Sequence, residues 1–187
     1  SDKSDTSLTL TNATVDATNS QVAQNLDTLV ENLSQYKPFQ NINVDAFSDL
    51  AVAMYGTTQD TLALNNSTVT GDIGIMNEKG QTNLSFTNNS VVNGNVTLSG
   101  NSTNTLLVDN STINGDLNAS QNSGDTTITL QNGANVDGNI TTGAGNDTVV
   151  LVNDSHVTGN VTGGDGDDTL SMDAGSSISG QIKDRKS

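Results

Sequence analysis

Residues Ser67–Ile73 read STVTGDI, and the phrase returns as SVVNGNV at Ser90–Val96, STINGDL at Ser111–Leu117, ANVDGNI at Ala134–Ile140, SHVTGNV at Ser155–Val161 and SSISGQI at Ser176–Ile182. Its glycines, Gly71, Gly94, Gly115, Gly138, Gly159 and Gly180, are 23, 21, 23, 21 and 21 residues apart. A fixed period of this length marks one supersecondary unit stacked on copies of itself. The chain therefore reads as a solenoid.

Inside each unit apolar and polar residues alternate, which is the period of a strand rather than of a helix. Aligned copies give four apolar columns. The first segment contributes Leu62, Leu84, Leu106, Ile128, Val149 and Leu170, then Leu64, Phe86, Val108, Leu130, Leu151 and Met172. The second contributes Val69, Val92, Ile113, Val136, Val157 and Ile178, then Ile73, Val96, Leu117, Ile140, Val161 and Ile182. Leu8, Leu10 and Val15 repeat the spacing near the N-terminus, with Ala17 in the glycine slot. This is the pattern of an all-β, parallel β-helix, expected to be right-handed because parallel crossovers are overwhelmingly of that hand. It predicts about seven coils of 21–23 residues. The glycines alternate into the inward set, which points to a narrow spot or a bend in the strand.

Between the first and second coils the pattern breaks. Val22, Leu26, Leu29, Val30 and Leu33 follow helical spacing after a cap at Asn19 or Ser20, and Pro38 stops that helix. A second helix is expected from about Asp45, with Phe47, Leu50, Ala51 and Met54 on one side, ending at Gly56. The domain reading is a first coil at 1–18, an inserted helical hairpin at 19–56, coils two to seven at 57–183 and a tail at 184–187. The hairpin holds Tyr36, Phe39, Phe47 and Tyr55, and its apolar face suits a cover over the open N-terminal end of the stack, or a lateral binding surface.

The polar positions repeat too. Thr61, Thr105, Thr127, Thr148 and Thr169 form a column interrupted by Asn83. Asn12, Asn66, Asn89, Asn110 and Asn132 gather at the turn between segments, where stacked amides can hydrogen-bond from coil to coil. One Thr column with neighbours two positions on read as buried does not make the flat array an ice-binding solenoid needs. Composition agrees with a narrow core: 187 residues, 32% hydrophobic, 3% aromatic and one Pro. A net charge of −15 argues against nucleic acid and anionic membranes as partners. No apolar run approaches the length of a membrane span, and no signal peptide stands at the start, which suits a processed chain or an excised piece.

Two stretches carry candidate chemistry. GAGNDTVV at Gly143–Val150 and GGDGDDTL at Gly163–Leu170 resemble the nonapeptide of calcium-binding RTX rolls, here once per coil instead of in tandem. Asp147 and Asp168 stack in one column with Asp165 and Asp167 close by, a candidate Ca²⁺ site or a solvated Gly/Asp turn. A catalytic constellation is not evident: the only Arg is Arg185, the only His is His156, and Lys3, Lys37, Lys79, Lys183 and Lys186 are scattered. The expectation is a protein that is not an enzyme.

Coils of the form D-T-L-x-L followed by S-x-V-x-G-[DN]-[IV], with GxGNDT or GDGDDT linkers, resemble passenger domains of bacterial autotransporters over Thr61–Ile182. The resemblance implies export, a C-terminal β-barrel translocator that this chain lacks and that would be its only membrane link, and display at the bacterial cell surface. It implies adhesion or self-association, with a copy on a neighbouring cell or a host surface ligand as partner; the alternatives are a stalk that presents another domain and a calcium-stabilised, RTX-like β-solenoid module. The residues expected to form the contact face outward from the second segment: Thr70, Asp72, Asn93, Asn95, Asn114, Asp116, Asp137, Asn139, Thr158 and Asn160.

Overall fold

The computed structural model describes residues 7–16, 43–44, 50–54 and 59–184. They form a parallel β-solenoid of about six turns, all-β in its described residues. Each turn visits three sheets in order. The first sheet takes the long strands, such as Gln59–Asn65, Gln81–Thr87 and Thr103–Asp109, and has seven strands; the second takes short ones such as Thr68–Thr70 and Val91–Asn93 and has eight; the third takes Ile73–Asn77, Val96–Gly100 and their equivalents and has seven.

The registers reproduce the apolar columns. Leu62 pairs with Leu84, Leu84 with Leu106, Leu106 with Ile128, Ile128 with Val149, and Val149 with Leu170. Val69, Val92, Ile113, Val136, Val157 and Ile178 align in the second sheet. Ile73 through Ile182 align in the third. Nearly all of these side chains are buried and form one core. Like packs on like because each inward residue meets its own counterpart one coil away. Met172 and Ile182, in the last described coil, are 43% and 58% exposed, since no described coil lies beyond them.

The N-terminal region departs from expectation. Leu50–Met54 is a strand paired in parallel with Ile73–Asn77, so the second expected helix does not run over those residues. Their apolar spacing, read as one face of a helix, is overridden by an open sheet edge that offers five consecutive backbone partners. Asn43–Val44 pairs with Thr14–Val15 and adds a further strand beyond it. The expected first helix at Asn19–Tyr36, the rest of the second, Ala17 and the tail from Arg185 lie outside the described residues.

The glycine column also has a different cause from the one expected. The glycines do not face the core; they are partly or fully exposed, and a Cβ on Gly94, Gly115, Gly138, Gly159 or Gly180 would strike the coil before it, while Gly71 has a φ of 119°. It would stand 2.4 Å from the Gly94 carbonyl oxygen at Gly115, 2.5 Å from that of Gly115 at Gly138, and 2.6 Å from that of Gly138 at Gly159. At this corner the chain turns so that the Cα–Cβ direction runs along the solenoid axis, where the next backbone is about 4.8 Å away.

These placements rank three substitutions. Ile113→Asp puts an unpaired charge at a fully buried position and is expected to cost more than about 4 kcal/mol. Gly115→Ala, at a partly exposed site, is expected to cost about 1–3 kcal/mol because backbone must move. Asn114→Ser, between them in sequence and exposed, should change stability by less than about 0.5 kcal/mol. Urea unfolding of the three proteins checks the order; a neutral Gly115→Ala would show that the axial contact does not constrain the stack.

Candidate functional site

The ten outward residues expected to form a contact face fall into two columns with different duties. Thr70, Asn93, Asn114, Asp137 and Thr158 follow one another along the end of the second sheet. Their links are between side chains: Asn114 Nδ2 donates to Asn93 Oδ1 at 2.8 Å, and Thr158 Oγ1 to Asp137 Oδ1 at 3.3 Å. The second column, just past each glycine, is structural. Asn95 N donates to Asp72 Oδ1 at 2.7 Å, and Asp116 N to Asn95 Oδ1, Asn139 N to Asp116 Oδ1, Asn160 N to Asn139 Oδ1 and Gln181 N to Asn160 Oδ1, each at 2.8 Å. One side-chain oxygen of each residue in this column therefore accepts from a backbone amide of the following coil.

The same device works at a second corner. Asn146 N donates to Asp125 Oδ1 and Asp167 N to Asn146 Oδ1, both at 2.8 Å. The glycines before them again stack without room for a Cβ, Gly145 against the Gly124 carbonyl and Gly166 against that of Gly145. Sequence reading treated the Gly-Asn-Asp and Gly-Asp-Asp stretches as a possible calcium motif. The structure makes Gly-Asx a corner that recurs on both sides of the third sheet.

The turn after the first sheet is where asparagine is needed for its backbone. Asn12, Asn66, Asn89, Asn110, Asn132 and Asn153 all have φ between 49° and 62°, the left-handed region that asparagine tolerates better than most residues. Their side chains link only in part: Asn66 to Asn12 at 2.6 Å, Asn153 to Asn132 at 3.3 Å, and Asn132 to Asp109 at 3.0 Å. Beside this turn runs a buried serine column that sequence reading missed. Ser67 Oγ accepts from Ala13 N, Ser90 Oγ from Ser67 N, Ser111 Oγ from Ser90 N, and Ser176 Oγ from Ser155 N, at 3.0 to 3.1 Å. The signal was the serine that opens five of the six repeated phrases.

The first sheet presents Thr61, Asn83, Thr105, Thr127, Thr148 and Thr169 outward in one register. Ala63, Ser85, Leu107, Thr129 and Val150 lie on the same outer face and are only partly buried, contrary to expectation, because residues two apart in a strand share a face. His156 is an outward side chain, 2.6 Å from Ser177 Oγ and 3.7 Å from Asp154, away from the acidic column below.

Of the four aspartates expected to share a cation, two point in and two do not. Asp165 and Asp167 are exposed. Asp147 is 2% exposed and its Oδ1 accepts from Thr126 N at 2.8 Å, while Asp168 Oδ1 accepts from Asp147 N at 2.9 Å. The second oxygen of each, Oδ2, is buried with no hydrogen-bond partner. Burial pushes the Asp147 carboxyl up to about 6, against the pull of the Thr126 amide and the Thr142 hydroxyl and with help from the negative charges of Asp168 and Asp125. Asp168 is also raised, by burial first and then by Asp184, Asp167 and Asp165 against the Asp147 amide. Among the described residues no group of three or more His, Cys, Asp or Glu side chains gathers in a form able to hold a metal ion.

No protein-family model, curated protein or solved structure matches this chain.

The raised Asp147 carboxyl sets a direction for pH dependence. The folded state takes up a proton between the ordinary value of 3.8 and about 6, so this contribution to stability is complete below 3.8 and is lost as pH rises through about 6. With divalent ions chelated, the melting temperature is expected to rise as pH falls from 7.5 to 5. Asp147→Asn should raise it at pH 7.5 and flatten the profile, which separates this group from general relief of the net negative charge. An Asp147→Asn profile parallel to that of the parent would contradict the assignment.

Proposed function

We propose that the chain is a surface-displayed rod that acts in adhesion, through homotypic contact with a copy on a neighbouring cell or a host surface ligand. Membership of the autotransporter passenger class, non-enzymatic action, seven right-handed coils and a helix over Asn19–Tyr36 belong to the same proposal. The observation that carries it is the column Thr70, Asn93, Asn114, Asp137 and Thr158, exposed except for the half-buried Thr70, whose polar groups recur at one coil's spacing along a parallel sheet. A rigid periodic row of amides and hydroxyls suits many modest hydrogen bonds of about 1 kcal/mol each. Repetition along the rod, and many rods per cell, then supply avidity without a single dominant contact. Asp72, Asp116 and Asp137 lie on the same side, so two copies meet best with their columns offset or with a cation between them.

The neighbouring column of Asp72, Asn95, Asp116, Asn139 and Asn160 is the wrong place to test this reading, because its oxygens hold the following coil. Thr70→Glu with Asn114→Glu changes the contact column in alternate coils and leaves those bonds in place. Cells displaying the parent protein are expected to clump several-fold less with this pair, at unchanged melting temperature. Undiminished clumping would remove this face, and a parent that never supports clumping or surface binding would favour a stalk that presents another domain.

A further inference from the structure

An inward polar column runs just before the first apolar column: Thr82, Asn104, Thr126, Asp147 and Asp168. In the earlier coils a neighbouring side chain donates to each member. Asn77 Nδ2 donates to Thr82 Oγ1 at 2.8 Å, Ser102 Oγ to Asn104 Oδ1 at 2.7 Å, and Asn122 Nδ2 to Thr126 Oγ1 at 3.4 Å. In the next two coils the position is a carboxylate: Thr142, five residues before Asp147 as Asn77 is before Thr82, hydrogen-bonds the Asp147 carboxyl, whereas Asp168 has Gly163 in that place. Gly143 stacks on Asn122, Gly164 stacks on Gly143, and each precedes its aspartate by the same four residues that separate Asn122 from Thr126.

We propose that Asp147 and Asp168 bind one Ca²⁺ between adjacent coils, through the oxygens that the stack leaves without donors. Each carboxylate uses Oδ1 to hold a backbone amide and turns Oδ2 inward, where it is shielded from solvent and unpaired. Both side chains border a cavity of about 170 Å³ that Thr142, Thr162, Lys183 and Asp184 also line. Negative charges raise both carboxyls, Asp168 and Asp125 acting on Asp147, and Asp184, Asp167 and Asp165 on Asp168, while Lys183 is the one cationic side chain lining the cavity. Equivalent atoms of adjacent coils lie about 4.8 Å apart, so an ion midway has an oxygen about 2.4 Å away on each side. That is a Ca²⁺–oxygen distance of roughly 2.3–2.6 Å, whereas Mg²⁺ requires about 2.0–2.1 Å and octahedral order. With two carboxylates, the Thr142 hydroxyl and water as donors, binding belongs in the range of about 10⁻⁴–10⁻³ M that extracellular calcium modules show.

The exterior aspartates supply the contrast that tests the site. Equilibrium dialysis with radioactive calcium at pH 7.5 is expected to give one ion per chain, with Mg²⁺ at the same ionic strength competing at least tenfold more weakly. Millimolar Ca²⁺ should raise the melting temperature, since a ligand of the native state alone stabilises it. Asp147→Asn should fold, melt no lower than the ion-free parent, and lose both binding and the calcium-dependent shift; Asp167→Asn, on the exposed corner, should keep both. Absence of binding by the parent at 10 mM Ca²⁺, or binding that survives Asp147→Asn and is lost with Asp167→Asn, would overturn the proposal. None of these readouts depends on adhesion.

Discussion

The structure depends on coils meeting at the spacing of a parallel β-ladder, and that spacing is enforced where the chain turns as strictly as where it runs straight. Along the strands the ladder is met by backbone alone. At the corners a Cβ on the axial side would stand only 2.4 to 2.6 Å from the carbonyl oxygen below, as at Gly115, Gly138 and Gly159. Glycine removes the obstacle, and the following Asx replaces the lost regular pairing with a side-chain oxygen that accepts from the next backbone amide. The two residues form one solution. It appears at the corner before the third sheet and again at the corner after it, from Asp125 to Asp167.

The interior obeys the same geometry. Because each coil repeats the one below, any polar group placed inside is repeated and must find its partner in its own coil or in the next. The serine column, interrupted at Ala134, meets this condition with hydroxyl oxygens that accept from backbone amides of the preceding coil. The column of Thr82, Asn104 and Thr126 is met from within its own coil, by Asn77, Ser102 and Asn122. Asp147 and Asp168 break it, since each keeps an oxygen buried without a donor. An uncompensated buried carboxylate is costly, and the cost is reduced either by a proton or by a cation. Asn104 Nδ2 is also buried without a partner, but it is neutral, so the two carboxylates are the place where the chain responds to its surroundings.

The lateral faces have their own division of labour. Residues two positions apart in sequence, such as Asn93 and Asn95, both face solvent, yet Asn95 holds the Asp116 amide while Asn93 bonds only to the Asn114 side chain. A surface of asparagine and threonine is thus partly scaffold and partly free for contact, and burial alone does not distinguish the two. The hydrogen-bond partner does.

The sequence by itself determined the repeat, the strand period, the parallel β-solenoid and its four apolar columns, because identical units stacked in register must bury the same positions in every coil. Residue types at Val69, Ile113 or Leu106 leave little choice of face. Only the tertiary structure decided which polar residue holds a neighbouring coil, since alternation says in or out but not what lies along the axis. That is why the corner glycines were first read as inward and the serine column went unread. It also separated Asp147 and Asp168 from Asp165 and Asp167, which are adjacent in sequence but exposed. At Leu50–Met54 local spacing pointed to a helix, and the unpaired edge of Ile73–Asn77 made it a strand. Backbone hydrogen bonding to an open sheet edge is a non-local gain that no window of sequence contains.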